Sequence, residues 1–429
     1  MARDDLSDPA DAGVPVSMSR RQILKGGALA SAAGAAGLLP GVANAAANLP
    51  PNVPDWMKTQ GTGFLNPPYG LPSPFEKNVV RKLPGGTPAA FPTATRTPLQ
   101  NLYGTITPNG LFFERHHAGV PQIAPDAHRL MVHGLIERPL LLTMDDLMRY
   151  PSVSRLYFLE CSGNGAAEWL KPSGKTAQDT HGLLSCAEWT GVPLSIILDE
   201  AGVKASGRWL LAEGADAAAM TRSIPIEKAM QDALLVYAQN GEMLRPEQGY
   251  PLRLFLPGFE GNMSIKWLRR IKIGTEPFQT REETSKYTDL MPDGSARQFT
   301  FLMEAKSVIT SPSGGQKLKQ QGFYEISGIA WTGNGSIRRV DVSIDGGRNW
   351  REAALQEPVQ RLALTRFRLP WRWNGEPAIL QSRAIDETGF VQPTRTQLIA
   401  ARGENSFYHN NAIQSWKVAT SGEVSNVHA

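Results

Sequence analysis

The chain has 429 residues, of which 41% are hydrophobic and 20% charged, and its formal net charge is +4. That length exceeds one ordinary hydrophobic core and suits two soluble domains. The small positive excess forms no dense Lys/Arg face and gives no footing for nucleic-acid binding.

In chain order, the first segment reads as a targeting signal. Ser19-Arg20-Arg21-Gln22-Ile23-Leu24-Lys25 precedes an Ala/Gly-rich apolar stretch, and Ala43-Asn44-Ala45 has the small-x-small form of a cleavage site. The paired arginines mark residues 1–45 as a twin-arginine signal. That route carries proteins already folded, often with a cofactor in place. A periplasmic mature protein starting near Ala46 is therefore expected. A short membrane anchor is the alternative, but the apolar part is short and rich in small residues. No later segment reads as a membrane span.

Residues 46–100, with PPNVPDW and NPPYGLPSP, are rich in Pro, Gly and Asn. They read either as an extended arm or as a partly disordered leader. Residues 101–295 mix short strands and helices. LMVHGLI (130–136) alternates like a strand, and Thr143 caps a short helix running to Met148 before Pro151. SRLYFLE (154–160) is a strand that ends at Cys161. Pro193 opens the helix LSIILDEA and Gly202 closes it, while Ser223 and Pro225 start another, IPIEKAM. YPLRLFLPG (250–258) and SIKWLRRIKI (264–273) read as strands.

Past a boundary near 290–305 the pattern changes. FYEISGIAW, IRRVDVSID, RLALTRFRLPW and AILQSRAID are alternating runs between Gly, Asn and Asp turns, with no helical stretch. Val340, Val342 and Ile344 share one face, and Asp345-Gly346 makes the turn. Residues 300–420 are therefore expected to form a β-sandwich. The fold class is α+β, a mixed α/β domain followed by that sandwich.

The candidate chemistry centres on LECSGNG (159–165), which holds one of the two cysteines, Cys161 and Cys186. Cys161 sits where a strand gives way to a glycine-rich turn, a geometry that displays a side chain at a sheet edge. Three readings stay open: a structural thiol or disulfide with Cys186, a nucleophile, or a metal ligand. No CxxC or CxxCH occurs, which argues against zinc ribbons, thioredoxin-type motifs and covalent haem in this chain.

FFERHH (112–117), ECSGNG (160–165), EGAD (213–216), QGYPLRLFLPG (248–258), SIKWLRRI (264–271) and the tyrosine of SKYTDL (285–290) follow one another in that order. Together they resemble the molybdopterin domain of the sulfite oxidase family. RRVDVSIDGGRNW (338–350) and RAIDETGFVQP (383–393) resemble that family's immunoglobulin-like dimerisation domain. The resemblance spans roughly residues 100–418 and implies a molybdenum–molybdopterin cofactor. It also implies roles for individual residues. Cys161 matches the thiolate ligand of the metal, and a soft thiolate suits it. Phe113, Glu114, Arg115, His116 and His117 match the segment along the pterin, with Arg115 its active-site arginine. Asp216 matches a pterin-binding aspartate. Gln248 replaces a pterin-contacting histidine. Arg253 and Ser264-Ile265-Lys266 match cofactor contacts that include the phosphate. Tyr287 matches the tyrosine beside the metal-bound oxygen, and Trp189 an aromatic pocket wall.

The departures concern substrate. In sulfite oxidases the cysteine is followed by Ala-Gly-Asn-Arg-Arg, whereas here Asn164 is followed by Gly165 and Ala166. Ser415, in NAIQSW, falls where the family carries a second anion-facing arginine. A pocket without these arginines suits a sulfur tethered to another protein better than a free dianion. In this respect the chain is most similar to the molybdenum-bearing subunits of Sox-type sulfane dehydrogenases. The resemblance then implies oxygen-atom transfer to sulfane sulfur on a carrier-protein cysteine, with electrons leaving to a c-type dihaem cytochrome subunit, in thiosulfate oxidation. A homodimer through the last domain is implied as well. The alternatives are a periplasmic sulfite dehydrogenase, a reductase of sulfoxides, and a non-enzymatic exported binding protein with a Cys161–Cys186 bridge.

Overall fold

In the computed structural model residues 72–83 and 93–429 are described. The segment read as an export signal and most of the one read as an arm lie outside the described residues. Two five-stranded sheets carry the first domain. In one, Val153–Glu160 pairs with Leu184–Pro193, which pairs with Leu234–Gln239, and Arg253–Phe255 adds to the last of these. In the other, the order runs Leu140–Leu142, Leu130–Gly134, Leu268–Gly274, Trp209–Gly214, Thr221–Pro225. Its pairing of Leu130–Gly134 with Leu268–Gly274 is parallel.

A shared apolar core joins the two sheets through the helix Leu194–Ala201. Leu194, Ile197, Leu198 and Ala201 follow helical spacing, and all are buried. Each large one contributes about 2 kcal/mol relative to exposure. The start and stop signals act as expected, with Pro193 at the N-cap and Gly202 at the C-cap. Thr143 and Asp146 form a capping box, each side chain bonding the other's backbone N–H at 3.0 and 2.9 Å.

The second domain is a sandwich of a four-stranded and a five-stranded sheet. Trp331, Val340, Val342, Phe367, Leu380 and Trp416 fill its interior. The run RVDVSI puts Val340 and Val342 inward as its alternation requires. Among the described residues no helix is long and apolar enough to cross a membrane.

The first sheet lies between two apolar clusters, and the strand Val153–Glu160 alternates between them. Phe158 and, on the paired strand, Leu184 and Cys186 join the core of the sandwich. Leu159, Cys161, Ala187 and Trp189 join a separate cluster with Phe112, Phe113 and Phe255. Period-two alternation thus sends Cys161 and Cys186 to opposite faces of one sheet. Both are buried free thiols, so the bridge held open by the sequence is not formed.

Four sequence expectations need correction. A helix, Arg395–Arg402, interrupts the sandwich, started by a Thr394–Gln397 capping box. Ser223 does not start the helix: it lies in the strand Thr221–Pro225, and the helix begins at Ile226 after Pro225. In 250–258 only Arg253–Phe255 pairs as strand. In 264–273 the strand starts at Leu268, and Trp267 takes a left-handed φ of 53°. That break lets residues 264–267 line a cleft instead of continuing a ladder. At the start of the described chain, Thr93–Ala94 pairs with Arg115–His116 and Leu99 is buried in the sandwich-side cluster.

Candidate active site

A cleft of about 660 Å³ opens beside the end of the strand Val153–Glu160. It gathers side chains from six stretches of the chain. Phe113, Arg115, His116, His117, Cys161, Asp216, Gln248, Arg253, Ser264, Ile265, Lys266 and Tyr287 all line it. Glu114 stands just behind: it pairs with Arg81 and lies 3.7 Å from Nε2 of His116. Burial pushes the Glu114 carboxyl up, but the bond to His116 and the charge of Arg81 outweigh it, and the net shift is downward.

Cys161 is 8% exposed. Burial pushes its thiol up, against the opposing backbone N–H of Gly163 and the charge of Arg115. Burial thus disfavours a free thiolate, which weakens the support for a nucleophile. Among the described residues no group of three or more His, Cys, Asp or Glu side chains could hold a metal ion. A metal at Cys161 would therefore draw its other ligands from outside the described residues, as a dithiolene cofactor provides.

Across the cleft the groups are cationic. Arg253 is 2% exposed and pairs with no carboxylate among the described residues. Its two terminal nitrogens donate to the backbone oxygens of Gln248 (3.0 Å) and Ser264 (3.2 Å), and its Nε has no partner among the described residues. Burial pushes its pKa down to about 9. Burial, then the charge of Arg253, pushes Lys266 down to about 7. Gly249 has a φ of 110°, and a Cβ there would stand 3.1 Å from the Cβ atoms of both Arg253 and Lys266. The glycine is what lets the two cations converge. A buried guanidinium with no carboxylate partner among the described residues, beside a second cation, suits an anion. These residues fit the phosphate of a molybdopterin, and Asp216 and Gln248 offer it polar edges.

At the metal-facing end, the Tyr287 hydroxyl lies 3.3 Å from Nε2 of His117. Burial, then the charge of Arg115, pushes His117 down to about 4, so its imidazole is neutral. Burial also pushes the Tyr287 phenol up. Tyr287 holds a φ of 51°, an unusual backbone for an aromatic residue and one concentrated at functional sites. Behind it the guanidinium of Arg222 lies 5.4 Å from the ring centroid and pairs with buried Glu260 at 3.3 Å.

Residues 117–282 match the family described as oxidoreductase molybdopterin binding domain, and 297–416 match the Mo-co oxidoreductase dimerisation domain. The chain is 31% identical over 355 residues to the mitochondrial sulfite oxidase of Rattus norvegicus, covering 77% of this chain and 65% of that enzyme. It is 33% identical over 315 residues to the sulfite oxidase of Gallus gallus, covering 67% and 68%. The chain thus spans just under two thirds of the rat enzyme. The crystal structure of the sulfane dehydrogenase SoxCD from Paracoccus pantotrophus superposes with a TM-score of 0.86 at 49% identity, covering 88% of this chain and 98% of that one. This chain belongs to the sulfite oxidase family of molybdopterin oxidoreductases. The family's cofactor is molybdenum bound by molybdopterin, its fold is a molybdopterin-binding domain followed by an immunoglobulin-like dimerisation domain, and the described residues fit both.

Within that family frame, two sequence assignments move. Trp189 does not line the cleft. It is fully buried behind it, its ring 5.1 Å from the Arg253 guanidinium and 4.6 Å from the Phe255 ring. Ser415 does not face Cys161 either: it is buried in a sandwich strand, where its hydroxyl accepts from Gln381 at 2.8 Å. The segment that does reach the metal-facing end comes a few residues earlier. The Tyr408 ring stands 5.3 Å from that of Tyr287, and His409 Nε2 lies 3.3 Å from Glu260. Sequence reading also missed Asn262, Met220, Leu159 and Trp267 on the cleft wall. Asn262 had a signal, since it sits between the Pro-Gly turn and SIKW in a run with no regular period.

Proposed function

We propose that this protein is a periplasmic molybdenum-dependent sulfur dehydrogenase whose substrate sulfur is held on a carrier protein. Its electrons pass to a c-type cytochrome partner. The observation that carries the reading is the charge around Cys161: the cation acting on it is Arg115, while the turn that follows offers Gly165 and Ala166 where sulfite oxidases carry arginines. The likeness to the sulfane dehydrogenase along nearly its whole length supports the same class of substrate. Bound at Cys161, molybdenum would supply two-electron oxidation of a sulfur coupled to oxygen transfer.

The chain's own residues would do the rest. Cys161 would hold the metal, and Arg253 and Lys266 would anchor the far end of the cofactor through its phosphate. Arg115, fixed by a 2.6 Å bond from its Nη1 to the oxygen of His116, would hold positive charge beside the reacting centre. Tyr287 and neutral His117, in hydrogen-bond contact, would give or take a proton there. The chain has no CxxCH, so electrons would leave to a haem on another subunit. A homodimer through the sandwich is part of the same reading.

The second reading is oxidation of free sulfite, favoured by the identity to sulfite oxidases. Steady-state turnover of free sulfite against carrier-bound persulfide or thiosulfate separates the two. Turnover of the carrier-bound sulfur at least about tenfold more efficient in kcat/KM is expected. Efficient turnover of sulfite alone would reverse the assignment.

A further inference from the structure

Glu160 precedes Cys161 and is completely buried, yet it points away from the cleft into the sandwich domain. Its carboxylate collects three donors. Lys306 Nζ reaches it at 3.0 Å, Trp331 Nε1 at 2.6 Å and Asn164 Nδ2 at 2.9 Å. Lys306, itself 2% exposed, also donates to the backbone oxygen of Asn164 at 3.0 Å. Lys306 opens the first strand of the sandwich, Lys306–Ser311, and Trp331 ends the second, Gly322–Trp331.

The turn that carries the thiol is thus gripped at both ends by one ammonium. Two further donors from the second domain hold its outer side. The His409 N–H donates to the oxygen of Ser162 at 2.8 Å, and Asn410 Nδ2 to that of Gly165 at 2.9 Å. Gly165 has a φ of 88°, and a Cβ there would stand 3.5 Å from both Lys306 Nζ and Asn410 Nδ2, so the turn lies directly against its clamp. From the first domain, Asn164 Oδ1 accepts from Leu183 N at 3.1 Å, and the Cys161 N–H donates to the oxygen of Leu183 at 3.0 Å.

A buried ion pair is a poor stabiliser, because desolvation offsets most of its attraction and an apolar pair of equal volume does as well. What it does supply is a fixed geometry. We infer that Lys306 is a positioning residue for Cys161: through Glu160 and Asn164 the sandwich domain sets the height and direction of the thiol-bearing turn. The second domain therefore shapes the metal site as well as mediating any assembly. The inference uses the proposed function only in its consequence for the metal.

The test replaces Lys306 in the full chain by Lys306→Met, beside Glu160→Gln, which keeps the shape but removes the charge and turns one of the two acceptor oxygens into a donor. In cofactor-free protein the alkylation rate of Cys161, read by mass spectrometry against Cys186 as the internal reference, is expected to rise about tenfold in Lys306→Met and less in Glu160→Gln. In the loaded enzyme kcat is expected to fall about tenfold, the usual scale for a residue supporting a metal ligand, with KM within about twofold. The electron paramagnetic resonance of the singly reduced metal is expected to shift. A variant that melts at a lower temperature but keeps the wild-type thiol rate and metal spectrum would overturn the inference. If Lys306→Met does not fold, Glu160→Gln carries the same criteria. A raised thiol rate in a protein whose metal survives Cys161→Ser would sink the assignment of the ligand and leave the clamp standing.

Discussion

The guanidinium of Arg253 stacks 5.1 Å from the ring of Trp189 and meets no carboxylate among the described residues. It is a buried charge without a counter-charge there. Arg253→Met should leave the cofactor-free protein as stable as wild type or more so, because an unpaired buried cation destabilises the fold. The same variant should lose cofactor affinity by roughly tenfold to hundredfold, the scale of a charge-assisted hydrogen bond of about 1.5–3 kcal/mol. Thermal melts and the molybdopterin content of purified protein check the two halves. A large loss of stability with normal cofactor content would refute both.

Lys266 makes the cofactor site sensitive to pH. Its pKa in the fold is about 7 against an ordinary 10.5, so the unfolded chain binds more protons between those values. Stability of the cofactor-free protein should therefore rise as pH goes from about 7 to 10.5. Cofactor affinity should fall as pH rises above about 7, because binding a phosphate there must first return a proton to the amine. Lys266→Met should flatten both profiles. Denaturant melts and cofactor titrations across that range measure them.

Cys161 and Cys186 should both alkylate when the protein is unfolded without reductant, since they face opposite sides of a sheet. Intact mass then gains two labels; a single disulfide would give none. Cys161→Ser should abolish metal retention and lower activity by more than about hundredfold, beyond the usual loss from a supporting residue. Cys186, whose thiol burial pushes up to about 12, is packed in the sandwich-side core. Cys186→Ala should cost about 1 kcal/mol of stability and leave activity intact.

Asp345 ties the turn of the sandwich hairpin. The backbone N–H and side chain of Asn349, then the Ser343 hydroxyl, hold its pKa down to about 2. A depressed carboxylate stabilises the fold above its unfolded value of 3.8 and loses that contribution as pH falls from 3.8 to about 2. Asp345→Asn should be less stable than wild type at neutral pH and equal to it near pH 2. Acid titration followed by circular dichroism checks the convergence, and parallel curves would contradict it.

Much of the site was readable in advance because its chemistry is carried by short runs. FFERHH and SIKW each bring neighbouring residues to the cleft together, and the strand end LEC brings Leu159 and Cys161. The caps at Thr143, Pro193 and Gly202 were legible for the same reason, since they act within one turn. Reading failed where a strand pattern gave way to the cleft, as at Trp267, and where a short capping box hid among strands, as at Thr394. In both places local preference yields to what packs against the segment.

The amino-acid sequence alone determined that an α/β domain precedes a sandwich, and it supplied a thiol and buried-cation candidates of the right chemistry for a soft metal and an anionic cofactor. Tertiary packing decided the rest. Strand pairing within the first sheet put Trp189 behind Arg253, and docking of the two domains brought Tyr408 and His409, not Ser415, beside Tyr287 and Glu260. The same docking also joined Lys306 to Glu160 across 146 positions. Such pairs leave no periodic trace, because each depends on two surfaces meeting after both have folded.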